Sequence, residues 1–152
     1  MAYNTPKNKM SRKIKLLGII AILSILVVSV SSCSKEKKIV GKWKVTSATG
    51  DFLEDKGNTW TFKENGKCTI PTGELEIDGE WTISSDNLTI DINQPLTIEG
   101  YNCNIKGTAD FDIETLSNKE MSLSGNVNLK LYYQNVLVES EAMKGSYDFE
   151  KK

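Results

Sequence analysis

From Ile39 to the C-terminus the chain alternates apolar and polar residues with a period of two. The clearest run is Glu74-Leu75-Glu76-Ile77-Asp78-Gly79-Glu80-Trp81-Thr82-Ile83, in which odd positions are apolar or glycine and even positions acidic or polar. Successive side chains of a strand point to opposite faces, so this pattern predicts a strand with one face in a core and the other in water. The same alternation recurs at Trp43/Val45, Trp60/Phe62, Cys68/Ile70, Leu88/Ile90/Ile92, Ala109/Phe111/Ile113, Met121/Leu123/Val127/Leu129 and Tyr147/Phe149. Turn residues separate the runs: Asn65-Gly66, Pro71-Thr72-Gly73, Asp86-Asn87, Asn93-Gln94-Pro95, Ser117-Asn118 and Gln134-Asn135. Asn65-Gly66 is the strongest, since both central residues of a type I′ turn need positive φ. A change of phase near Gly100 predicts a bulge or bend there. The stretch 136–144 is the one place where a helical turn fits. About eight to ten short antiparallel strands follow, the rhythm of an all-β barrel or sandwich.

The first residues follow a different rule. Residues 7–15 are basic, 16–30 form an almost unbroken apolar run, and Ser31, Ser32 and Cys33 follow. That order is a secretory signal peptide over 1–32, and the run is shorter than the roughly 20 residues of a spanning helix. Val30-Ser31-Ser32-Cys33 resembles a bacterial lipobox, which implies lipid attachment at Cys33 and anchoring to a membrane. Residues 33–38 then read as the lipidated cysteine and a charged tether, and 39–152 as the folded domain. Ser34 after the cysteine resembles the outer-membrane sorting pattern, so the expected location is the outer membrane, facing the periplasm or the cell surface.

Composition narrows the chemistry. The chain has 19 basic and 20 acidic residues. Five of the basic ones lie in 1–32, so the remainder carries 14 basic and 20 acidic residues, a net of −6. An acidic body argues against a nucleic-acid partner. There is no histidine, which removes Ser-His-Asp and Cys-His catalysis and histidine-based zinc sites. Glu74, Glu76, Asp78 and Glu80 share one strand face, but neighbours two apart on a strand are about 6.6–7 Å from each other, too wide for a compact calcium cage. The expectation is a protein that is not an enzyme, with no cofactor and no metal.

Gly41-Lys42-Trp43 opens the first strand, followed by the hairpins of Trp60-Thr61-Phe62 and Trp81-Thr82-Ile83. This arrangement resembles the lipocalin-like domain of bacterial outer-membrane lipoproteins. The resemblance implies an antiparallel barrel in which Gly41 admits the chain to the closed end and Trp43 plugs it. Lipocalins stack a late arginine on that tryptophan; here no arginine follows Arg12, and Lys144, Lys151 or Lys152 is left for the role. Inward parity makes Trp60, Phe62, Ile77, Trp81 and Phe111 the candidate ligand-lining residues. Cys68 and Cys103 are open to two readings, a disulfide in an oxidising compartment or two buried small hydrophobes. The expected function is binding of a small apolar or amphipathic ligand inside the barrel; the alternative is a solid barrel serving as a protein- or glycan-interaction module of the envelope.

Overall fold

The computed structural model describes residues 34–73, 75–98 and 100–152. The expected signal peptide, 1–32, and the expected lipidation site, Cys33, lie outside the described residues. Eight strands follow in order: β1 Gly41–Gly50, β2 Thr59–Phe62, β3 Lys67–Thr72, β4 Leu75–Ser84, β5 Asn87–Ile98, β6 Tyr101–Leu116, β7 Glu120–Tyr133 and β8 Val136–Lys151. Each pairs antiparallel with the next, and β8 returns to β1, so the sheet closes into a barrel. Closure removes the unpaired edges of an open sheet. The inward residues predicted from alternation form the core: Trp43, Val45, Trp60, Phe62, Leu88, Ile90, Phe111, Met121, Leu123 and Phe149 are all at most 2% exposed.

One end of the barrel is sealed. Residues 34–39, of which 34–38 were expected as tether, are helical and sit across it. Lys35 pairs with Asp86 and donates to the Ser85 carbonyl at 2.8 Å. Ile39 is fully buried, and its carbonyl accepts the Trp43 indole N–H at 2.6 Å. These contacts replace the flexible linker that the charged composition suggested.

Several local expectations are corrected. Asn93-Gln94-Pro95 is not a turn but lies inside β5. The ladder between β4 and β5 ends at Gly79↔Ile92, so Pro95, which has no N–H, falls where that side of β5 carries no ladder. The Gln94 side chain takes over: its Oε1 accepts from Asp78 N at 2.7 Å and its Nε2 donates to Glu76 O at 3.2 Å. Residues 136–144 continue β8 rather than forming a helical turn, because they pair along β7 from Tyr133↔Val136 through Asn126↔Lys144. Gly100 (φ +85°) belongs to the tight turn that joins Ile98 to its partner Tyr101, which accounts for the change of phase. Asn65-Gly66 is not type I′, since only Gly66 has positive φ. Among the described residues, two successive positive φ values occur at Gln134-Asn135, at 48° and 65°.

Cys68 and Cys103 are both free thiols. Cys68 lies in the register row Cys68–Gly79–Ile92–Gly107, three strands from β6, and Cys103 is four residues further along β6. Four residues of strand are about 13 Å, against the ~7 Å limit between Cα atoms of a disulfide. The disulfide reading is thereby corrected. Burial pushes the Cys68 thiol up to about 12 from its ordinary 9.0. Because folding holds that proton, the domain should lose stability as pH rises past 9, where the unfolded chain's thiol ionises first. Alkylation of the full chain followed by peptide mass spectrometry should label Cys103 under native conditions and Cys68 only in denaturant; equal labelling of both would show that Cys68 is not shielded.

Candidate functional site

Parity fixes which residues face inward, and depth along the barrel fixes what they do there. At the closed end, Trp43 is fully buried beneath the helical segment 34–39. Lys151 Nζ lies 5.0 Å from the centre of the Trp43 ring and donates to Lys38 O at 2.8 Å. Gly41, at φ +133°, is what permits this: a Cβ there would sit 2.7 Å from Lys151 Cε. Of the three late lysines, Lys151 therefore takes the place over the plug tryptophan. Trp81 and Phe62 meet edge-on at 5.9 Å in the same region, and the Trp81 N–H donates to the carbonyls of Lys63 and Lys67 at 3.2 and 3.1 Å.

The other end opens into a cavity of about 560 Å³. This lies within the ~300–1,000 Å³ range of ordinary ligand pockets. Trp60, Ile77 and Phe111 line it, as parity predicts, together with Ile92, Ile105, Val127, Leu129 and Met143. Phe62 and Trp81 do not: each sits further toward the closed end on its strand than Trp60 and Ile77, and they pack the bottom layer instead. Trp60 is 2% exposed and meets Tyr147 and Phe149 edge-on at 4.9 and 5.1 Å. Its indole N–H has no hydrogen-bond partner among the described residues, whereas those of Trp43 and Trp81 both do. A buried donor without an acceptor is unusual in a folded protein; the N–H is itself shielded, while the Trp60 side chain is part of the cavity lining.

The β1–β2 connection, 51–58, folds over the mouth. Phe52 is buried, stacked on Tyr147 with ring centres 4.6 Å apart, and edge-on to Phe111 at 6.3 Å. Space for it comes from Gly145 on β8, where a Cβ would meet Phe52 Cδ2 at 2.8 Å and the Thr49 carbonyl at 2.1 Å. Tyr147 donates to Asp55 Oδ2 at 2.6 Å. Burial first, then the bond to and charge of Asp55, raise the Tyr147 phenol above its ordinary range, so it remains a donor. Asn58 Nδ2 ties Asp55 to the Pro71 carbonyl at 3.3 and 3.2 Å. Sequence reasoning missed Phe52 and Asp55 because the strand rhythm stops at Gly50; an apolar pair, Phe52-Leu53, inside an acidic connection was the available signal.

A model of the lipocalin-like domain matches residues 39–123, more than half of the chain. The chain belongs to the lipocalin-like domain family. The match begins at the buried Ile39 and spans the Gly41/Trp43 plug and six of the eight strands. No curated protein and no solved structure matches the chain. In this lipocalin-like barrel the plug, the sealed end and the opposite open cavity are three parts of one arrangement, in which a packed lower half fixes the walls of a hollow upper half.

Proposed function

We propose that this domain binds a small apolar or amphipathic molecule in the open end of its barrel, as a non-catalytic protein of the bacterial envelope. The observation that carries the reading is the 560 Å³ cavity, walled mainly by aliphatic side chains with Trp60 and Phe111 among them. The family's barrel fits a ligand-binding role. The order of basic, apolar and small residues ending at Cys33 supports a lipid anchor there, with the outer membrane as the site of attachment.

The three indole N–H groups give the test. In the full chain labelled with ¹⁵N-tryptophan, titration with an apolar ligand should move the Trp60 indole resonance in a saturable way. Those of Trp43 and Trp81, bonded at the closed end, should stay in place. Saturable binding with no response at Trp60 would put the ligand elsewhere. No binding by a panel of apolar ligands would favour the envelope-interaction reading instead. One observation favours that second reading: beyond the barrel the β5–β6 and β7–β8 ends expose Tyr101, Val136, Leu137 and Val138 at 50–66%.

A further inference from the structure

The cavity's two ends differ in chemistry. Its depth is aliphatic and aromatic, but its rim carries Asp51, Glu54, Asp55 and Glu141. Asp51, Glu54 and Glu141 are exposed and Asp55 is half-buried, so the charge is at the entrance and not in the core. No lysine or arginine is among the lining residues, and none of the four carboxylates is in an ion pair among the described residues. Lys56 follows Asp55 in sequence, and Lys144 N donates to Asp51 Oδ2 at 2.8 Å through the backbone, but neither lysine lines the cavity. Nor are the carboxylates drawn together as metal ligands are: among the described residues no group of three or more acidic or sulfur side chains could hold a metal ion.

A carboxylate-headed lipid placed with its tail in this barrel would set its own negative charge among these four. A cation there meets attraction, strengthened by the low-dielectric wall beneath it. We infer that the cavity selects positively charged amphiphiles: an apolar body in its depth and an ammonium-type head at the Asp51/Glu54/Asp55/Glu141 rim. This deepens the binding function proposed above and rests on it.

Three probes that share a body and an ether acceptor test the head group: 6-phenoxyhexylamine, 6-phenoxyhexanoate and 6-phenoxyhexanol. Binding is measured on the full chain in lipid nanodiscs, with empty nanodiscs as blank, through the Trp60 indole resonance. The amine should bind at least tenfold more tightly than the carboxylate, with the alcohol between them, and the difference should shrink with added salt. The combined Glu54→Gln and Glu141→Gln variant, at two exposed positions, should bring the amine-to-carboxylate ratio toward one. Equal binding of all three, or tighter binding of the carboxylate, would overturn the charge selection while leaving the binding function standing. An amine preference untouched by the double variant would also overturn it. Binding by none of the three would overturn both.

Discussion

Trp43→Ala should unfold the domain or lower its melting midpoint sharply, whatever ligand is present. Trp43 is fully buried, holds the Ile39 carbonyl through its N–H, and lies under Lys151. Truncating a buried aromatic typically costs about 3–5 kcal/mol through lost burial and the cavity left behind. Small domains have only about 5–15 kcal/mol of total stability, so the loss is a large fraction. Lys151→Met is the control that separates the plug from the lysine above it. It keeps the apolar stem and removes the ammonium, and a cation–π contact is worth only about 0.5–2 kcal/mol. Urea melts of both variants decide the matter: a Trp43→Ala protein that melts like the parent would show that the closed end does not depend on its plug.

Ala109→Trp should abolish ligand binding without loss of stability. Ala109 is 2% exposed and lines the cavity among Ile92, Phe111 and Val127. Gly107 apart, it is the smallest inward residue in that stretch of β6, so an indole there would occupy the space a ligand needs. Filling an existing void avoids the ~1–3 kcal/mol that overpacking a closed core costs. A loss of at least tenfold in affinity, about 1.4 kcal/mol, with an unchanged or raised midpoint is expected. If ligand binding survives in a well-folded variant, the ligand does not enter the barrel. The effect should be larger than that of opening the lid: Phe52→Ala widens the entrance, yet leaves the aliphatic wall intact.

Much of this molecule could be read from the sequence because a strand's period of two reports its facing directly. Trp43, Trp60, Phe62, Trp81 and Phe111 all turn inward as alternation requires. What alternation does not report is height. Phe62 and Trp81 share the facing of Trp60 and Ile77 and yet pack the bottom of the barrel, because height depends on strand stagger, which is set by pairing register between strands. Pro95 misled for a related reason: it looks like a breaker, but its missing N–H falls just past the last β4–β5 ladder pair, and Gln94 satisfies the β4 backbone. The turn at Gln134-Asn135 carries no glycine, so its two positive φ values had only a weak sequence signature, while Asn65-Gly66 had a strong one and formed something else. The lining residues contributed by 51–58 lay outside any periodic segment, and nothing in the strand rhythm reaches them.

The helical segment 34–39 follows Cys33 directly in the chain and is held to the sealed end by Lys35, Ile39 and the Lys38 carbonyl. With the lipid on Cys33 that we propose, little slack separates membrane from barrel, and the protein would stand on the leaflet by its blind end. The mouth would then open on the far side, a strand's length away, about 25 Å for a tilted ten-residue strand such as β1. A ligand could not slide from the anchoring leaflet into the cavity. Cargo would have to arrive through water or be handed over by something approaching from above, which makes this orientation one of receiving from the facing compartment rather than extracting from the supporting bilayer.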